Sequence, residues 1–327
     1  MKADSDLALL YGPAAADLPR VTQLIGSVAE EPELEFLQKM LSAALSGSGK
    51  LLRPAISILS ARLGTYNIEL VAPLAASVEL LHTATLVHDD VIDEADQRRG
   101  QPTPNSLFGN AASVMLGDYM FANAADLIAR TNRPLVVRKF ADAIMLIAQG
   151  ELKQDSTAFE YSPNINQYLD RIKGKTAVLF ATAAEGGALV CDASETITTA
   201  MREYGMNLGM AFQVIDDILD FTGTAEEMGK PVGSDLKSGT LTLPAILFLQ
   251  KYPKENPIKR AFDGIRTNAN LDKAIKDILS DDEIIGESRA MARSMCDSAL
   301  ASLEIIPQCE EKQILENLVA YTFDRNN

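Results

Sequence analysis

Two clusters of three aspartates, each spaced Asp-Asp-x-x-Asp, interrupt segments that are otherwise apolar. They are Asp89, Asp90 and Asp93 (the first triplet) and Asp216, Asp217 and Asp220 (the second triplet). In a helix, residues i and i+4 share a face, so the outer aspartates of a triplet can act together while the middle one flanks them. Two unit charges about 4 Å apart repel by roughly 4 kcal/mol at an effective dielectric near 20. Partly buried triplets therefore need cations beside them.

The apolar residues around both triplets recur at helical spacing, and the chain, with 47% hydrophobic residues and no tryptophan, favours helices over a sandwich or barrel. We predict an all-α fold with one domain over residues 1–327 and a helix beginning at Lys50–Pro54. Further helices are predicted over Leu70–Ala95 (with its end near Gly100), Ala111–Thr131, Pro134–Ser156, Ile165–Leu189, Ser194–Phe221, Leu241–Lys251 and in a last group from Ile258 onward. The glycine-rich segment Thr222–Thr240 is predicted to be the longest loop, and long loops are often functional.

The charge balance argues against a nucleic-acid partner. The chain has 45 acidic and 30 basic residues, a net charge of -15, and its basic residues form no run. Such a surface repels a phosphate backbone, whereas isolated lysines and arginines at helix ends suit small anions.

The cysteines and apolar segments suggest a protein of the reducing cytoplasm. Cys191, Cys296 and Cys309 form no CxxC pair, so neither a disulfide framework nor a zinc site is indicated. The first residues lack the pattern of a signal peptide. We expect no transmembrane segment, because the longest apolar candidate, Thr176–Cys191, is interrupted by a glutamate and two glycines.

Carboxylate oxygens indicate magnesium as the cation, with Asp89, Asp93 and Asp216 as ligands, whereas a soft metal would require histidine or cysteine. The alternative for a single triplet is a solvated acidic patch. Arg98 and Arg99 follow the first triplet and are candidates for binding phosphate oxygens, although the end of a helix attracts arginine in any case.

Six motifs in order along the chain resemble those of the trans-polyprenyl diphosphate synthases of the long-chain type. They are Gly49-Lys50-x-x-Arg53-Pro54, Glu79-x-x-His82, the first triplet with Arg98-Arg99-Gly100, Gly117-Asp118-Tyr119, Lys175-Thr176, and Gly209-x-Ala211-Phe212-Gln213 with the second triplet. The resemblance implies the isoprenoid synthase fold, a helical bundle around a deep central cavity, as a homodimer. The implied activity is the elongation of an allylic diphosphate with isopentenyl diphosphate.

The resemblance also implies roles for individual residues. Isopentenyl diphosphate would be held by Lys50, Arg53, His82 and Arg99, and the allylic diphosphate by Arg98, Lys175, Thr176, Gln213 and Lys230. Three Mg²⁺ ions would bridge the allylic diphosphate to the aspartates and help it to leave. Thr240 stands where many relatives have a diphosphate-binding lysine, which puts one cationic contact in doubt.

Two small residues before the first triplet bear on product length. Ala84 and Thr85 lie about one turn before Asp89, where short-chain relatives usually place an aromatic floor. Small residues there predict a product of about thirty to fifty carbons, suited to a quinone side chain. The floor could instead be formed elsewhere, by Phe121 or Phe140.

Three other functions share features with this sequence. A short-chain farnesyl or geranylgeranyl diphosphate synthase differs only in product length. A terpene cyclase needs no isopentenyl site, so Lys50, Arg53 and His82 argue against it. An accessory subunit that shapes a partner's cavity typically loses its triplets, and this chain has both.

Overall fold

The structure, a computed structural model, describes residues 9–30, 33–46, 49–98, 100–162, 164–223, 232–254, 256–262 and 268–325. Its first half contains α1 (Leu18–Glu30), α2 (Glu35–Leu45), α3 (Leu52–Ala61), α4 (Ile68–Ile92), β1 (Gln97–Arg98), β2 (Gln101–Pro102), α5 (Pro104–Phe108), α6 (Asn110–Ala129) and α7 (Pro134–Ser156). There follow α8 (Ile165–Ile172), α9 (Val178–Val190), α10 (Glu195–Thr222), α11 (Ser234–Lys237), α12 (Leu243–Lys251), α13 (Pro257–Phe262), α14 (Asn268–Leu279), α15 (Asp282–Ser302) and α16 (Glu310–Phe323). The predicted all-α class is confirmed.

Two predicted helices differ from the structure. The helix predicted to end near Gly100 ends at Ile92, because Glu94 takes a left-handed conformation (φ 50°) that does not continue a helix. The chain then forms an antiparallel hairpin in which Arg98 pairs with Gln101, and Gly100 supplies the positive φ of 74° that the turn requires. The predicted helix from Ile165 contains a π-helical turn at Lys173–Ala177 that separates α8 from α9.

The chain forms two compact units. The first comprises Met1–Ala143, Leu179–Gly205 and Ser302–Leu318. Its central element is α4, which contacts α1, α3 and α6 and has buried residues on every face. The side chain of Asn67 caps its first turn by accepting a hydrogen bond from the backbone N–H of Glu69 at 3.0 Å.

The second unit comprises Ile144–Val178, Met206–Ala301 and Val319–Asn327. Its core joins α8 and the second half of α10 to α12 and α14, through buried residues such as Ile172, Ile218, Leu249 and Ile278. The single-domain organisation stays a prediction.

Within the part of the chain that the structure describes, one helix is long and apolar enough to cross a membrane by length and composition. It is α4 rather than the Thr176–Cys191 segment, so the sequence-based choice of the longest apolar segment was wrong. Within the protein, 72% of its most apolar window is buried. This burial is what a core helix of a globular unit shows.

Candidate active site

The first triplet lies at the carboxyl end of α4. Asp93 is the C-cap residue and is exposed, Asp89 is half-buried, and Asp90 is 3% exposed. The carboxyl end of a helix carries partial negative charge, so carboxylates are unfavourable there without a cation. This position supports a metal-binding role better than a structural one.

Arg98 supplies one such cation. Its Nε and Nη2 atoms lie 2.9 and 2.8 Å from Oδ1 of Asp90. Burial raises the pKa of the Asp90 carboxyl, and the guanidinium of Arg98 opposes this rise. Arg98 reaches Asp90 from β1, so the expectation that it projects from the end of the helix was wrong. Arg99 lies outside the described residues.

The predicted chain-length residues precede the first triplet on α4. Ala84 is fully buried, and Thr85 is half-buried with its hydroxyl donating to the carbonyl of His82 at 2.7 Å. His82 is also half-buried. The alternative floor residue Phe140 is 2% exposed, and Phe121 packs against the imidazole of His88 with 5.3 Å between ring centroids.

Lys50 and Arg53 lie at the start of α3. Lys50 is exposed, whereas Arg53 is 9% exposed with its guanidinium carbon 4.4 Å from the centroid of the Phe180 ring. Between them Leu51, the N-cap residue, has a left-handed backbone (φ 53°). The hydroxyl of Tyr11 donates to the carbonyl of Lys50.

The second triplet lies near the end of α10, and its middle aspartate is held by neutral donors. Asp217 is 2% exposed and accepts hydrogen bonds from the Tyr168 hydroxyl at 2.7 Å and from Nε2 of Gln213 at 2.8 Å. Oε1 of Gln213 accepts in turn from the Thr176 hydroxyl at 2.6 Å. Two predicted residues, Thr176 and Gln213, thus join one hydrogen-bond chain that leads to the triplet.

The pKa of Asp217 follows from this burial. Desolvation, with a smaller contribution from the negative charge of Asp235, raises the pKa to about 7, while the bonds from Gln213 and Tyr168 oppose the rise. Asp235 also touches the triplet directly, since its backbone N–H donates to Oδ2 of Asp220 at 3.2 Å. Asp220 is 2% exposed.

Asp216 is the most accessible member of the second triplet, with 36% of its side chain exposed. Its Oδ1 lies 3.1 Å from Nη1 of Arg325, which follows α16. The Arg325 guanidinium also covers the Phe212 ring, with 4.4 Å from its carbon to the ring centroid. Arg325 therefore places a positive charge beside Asp216, a predicted metal ligand.

Lys175 lies in the π-helical turn, and its ammonium is 2.7 Å from Oε1 of Glu151. Single π-helical turns within α-helices are frequent at functional sites. Lys230 lies outside the described residues, whereas Thr240 is half-buried beside Gly239.

Four residues of these surroundings were missed from sequence: Glu151, Tyr168, Asp235 and Arg325. Asp235 could have been predicted from the sequence, because a carboxylate in the glycine-rich segment after the second triplet is a candidate neighbour of that triplet. Tyr168 and Arg325 are far from the triplet in sequence and carried none.

The donor set fits a hard divalent cation. The triplets offer only carboxylate oxygens, which suit Mg²⁺. Among the described residues, no group of three His, Cys, Asp or Glu side chains is gathered closely enough to hold a metal ion. Mg²⁺ commonly takes one or two carboxylates and completes its shell with water and substrate phosphates, so it does not require a cluster of three side chains.

Comparison with known proteins identifies the family. Residues 34–280 match the family described as Polyprenyl synthetase. The chain belongs to the polyprenyl synthetase family. It is 36% identical to heptaprenyl diphosphate synthase component 2 of Geobacillus stearothermophilus over 322 residues, which cover 98% of this chain and 99% of that protein.

Solved structures agree with this assignment to the polyprenyl synthetases. A polyprenyl synthase from Caulobacter crescentus CB15, complexed with calcium and isoprenyl diphosphate, has a TM-score of 0.92 and 33% identity, covering 99% of this chain and 98% of that one. A decaprenyl diphosphate synthase from Rhodobacter capsulatus has a TM-score of 0.89 and 34% identity, covering 99% of both chains. The predicted isoprenoid synthase fold and trans-prenyltransferase class are confirmed, and the long-chain interpretation is favoured over the short-chain one.

Proposed function

We propose that this polyprenyl synthetase condenses isopentenyl diphosphate with an allylic diphosphate to make an all-trans polyprenyl diphosphate of about thirty to fifty carbons for quinone side chains. The observation that carries the proposal is that both triplets are intact and that each has a buried middle aspartate held by hydrogen bonds. Such preorganised carboxylates are what metal-assisted departure of a diphosphate requires.

We assign the metal-binding role to Asp89, Asp93 and Asp216, because these three are the aspartates of the two triplets that are not fully buried. Bound Mg²⁺, with three ions expected per active site, would draw electron density from the leaving diphosphate. The middle aspartates Asp90 and Asp217 keep fixed orientations through Arg98 and through Tyr168 with Gln213.

The proposed diphosphate-binding residues form two sets, one for each substrate. Lys50, Arg53 and His82, together with Arg99, bind isopentenyl diphosphate. Allylic diphosphate is bound by Arg98, Lys175, Thr176, Gln213 and Lys230. Arg98 and Lys175 already contact carboxylates, Asp90 and Glu151 respectively, so each would share its protons between a carboxylate and a phosphate oxygen.

The product length is assigned to the segment before the first triplet. Ala84 carries a single methyl group and Thr85 a small side chain, so neither places an aromatic ring before the first triplet. The hydrocarbon tail would therefore grow past Ala84 and Thr85 before elongation stops.

We propose a cytoplasmic homodimer. On α6 the exposed residues include Val114 (41% exposed) and Met115 (70%), with Ala111, Ala122 and Ala125 beside them in helical spacing. On α7, Ala141, Met145, Ala148 and Leu152 form an exposed stripe at spacings of three and four. Exposed apolar faces of this kind are typical of subunit interfaces.

The test is elongation by the purified chain alone. The chain is incubated with Mg²⁺, labelled isopentenyl diphosphate and farnesyl or geranylgeranyl diphosphate, and the products are sized. Products beyond twenty carbons support the proposal, products of fifteen or twenty carbons contradict the long-chain assignment, and no elongation contradicts the function. Light scattering on the same sample measures whether the chain is a dimer.

A further inference from the structure

Tyr11 connects a remote segment of the chain to the start of α3. Its side chain is fully buried, and its hydroxyl donates to the backbone carbonyl of Lys50. The segment around Tyr11 is itself fixed, because Gly12 has a φ of 48° and packs against Ile314 so closely that a Cβ atom at position 12 would lie 2.8 Å from Cγ1 of Ile314. The hydroxyl is thus held at a defined place.

The peptide that Tyr11 holds is an unusual one. It joins Lys50 to Leu51, and the left-handed backbone of a leucine is unfavourable, so surrounding contacts must maintain it. Immediately afterwards the carbonyl of Leu51 accepts the first bond of α3, from the N–H of Ala55 at 3.0 Å. The orientation of this one peptide therefore sets both the direction of the Lys50 side chain and the start of the helix that carries Arg53.

Arg53 has a second support of its own. Its guanidinium lies against the ring of Phe180, and little of it is exposed. Lys50, by contrast, is exposed, and a lysine has four rotatable side-chain bonds. The fold also orients its backbone, and Tyr11 is one side chain that contacts it.

We propose that Tyr11 is a positioning residue for isopentenyl diphosphate, acting through the Lys50–Leu51 peptide without touching the substrate. The inference rests on the proposed function, which assigns Lys50 and Arg53 to this diphosphate. Loss of the hydroxyl lets the peptide rotate, so it weakens binding of isopentenyl diphosphate and leaves the allylic diphosphate unaffected.

The experiment compares Tyr11→Phe with Tyr204→Phe. Tyr204 is a matched control, because it is also fully buried in the first unit and donates to a backbone carbonyl, that of Leu315, at 2.8 Å. Calorimetry measures the Kd of isopentenyl diphosphate and of geranylgeranyl diphosphate with Mg²⁺, and thermal melting measures stability.

We expect both variants to melt lower by similar amounts and only Tyr11→Phe to weaken isopentenyl diphosphate binding, about tenfold. Equal Kd values for this ligand in both variants, or equal weakening of both ligands by Tyr11→Phe, would overturn the inference. Binding is measured without turnover, so a wild-type chain that binds isopentenyl diphosphate yet elongates nothing contradicts the proposed function alone. A wild-type chain that binds none overturns both.

Discussion

The two triplets share one spacing but stabilise their middle aspartates by different means. Asp90 is held by a cation, the guanidinium of Arg98, whereas Asp217 is held by the neutral donors of Tyr168 and Gln213. A full positive charge favours the ionised carboxylate more strongly than neutral donors do. Burial raises the pKa of both middle aspartates, and the rise is opposed mainly by a cation at Asp90 but mainly by neutral donors at Asp217, so the ionisation of Asp217 is the one that depends on pH near neutrality.

The largest expected effect concerns pH and the second triplet. The folded pKa of Asp217, about 7, lies above that of an unfolded aspartate, so the folded protein binds the proton more tightly. Asp217 thus contributes stability at low pH that is lost as the pH rises towards 7. In EDTA, the wild type should lose on the order of 3 kcal/mol of unfolding free energy relative to Asp217→Asn between pH 4 and pH 7.

Urea denaturation at several pH values measures this difference. The matched control is Asp90→Asn, since the opposing charge of Arg98 should make its pH dependence smaller than that of Asp217→Asn. Parallel curves for the wild type and Asp217→Asn would show that Asp217 is already ionised in the folded protein.

The next effect concerns Arg98. Replacing it by glutamine leaves the buried Asp90 without its cation and removes a proposed diphosphate donor, so kcat/KM for elongation should fall about 100-fold, or about 2.7 kcal/mol. Steady-state kinetics with labelled isopentenyl diphosphate measures the loss. Arg130→Gln is the control, because Arg130 also pairs with an aspartate, Asp126, but on an exposed helix surface. Activity within twofold of the wild type in Arg98→Gln would contradict the proposed role.

A smaller effect of opposite sign is expected at Arg325. This arginine competes with a metal ion for Asp216, so Arg325→Gln should tighten Mn²⁺ binding to the substrate-free protein about threefold. Electron paramagnetic resonance of free Mn²⁺ measures the Kd. Arg293→Gln serves as the control, since Arg293 also lies over an aromatic ring, that of Phe323. Weaker or unchanged Mn²⁺ binding in Arg325→Gln would show that Arg325 does not oppose the metal.

The smallest effect on rate is expected at Ala84. Ala84→Phe places an aromatic ring about one turn before the first triplet, so the products should become shorter while the first condensation keeps a rate within about twofold of the wild type. Chromatographic sizing of the products measures the change, and a matched Thr85→Phe variant locates the floor. Unchanged lengths in both variants would place the floor elsewhere, for example at Phe121 or Phe140.

The sequence predicted the helices and both triplets because these depend on local spacing. Pro134–Ser156 has the predicted bounds, and the long helices differ from theirs by a few residues at each end. The partners of the triplets were harder to predict, because Tyr168 and Arg325 come to the second triplet from distant segments. The position of Arg98 was misjudged for a local reason, since the left-handed Glu94 ends α4 early and a hairpin carries the arginine back.

Gly117 limits which substitutions the chain can accept next to the first triplet. At Gly117, on α6, any side chain would begin 2.1 Å from Nε2 of His88, whose imidazole contacts the carbonyl of Val114 at 3.0 Å. A mutation there has to displace the residue that immediately precedes Asp89. Position 117 therefore links the packing of α6 to the place of the first triplet, and a side chain introduced there would be felt at Asp89.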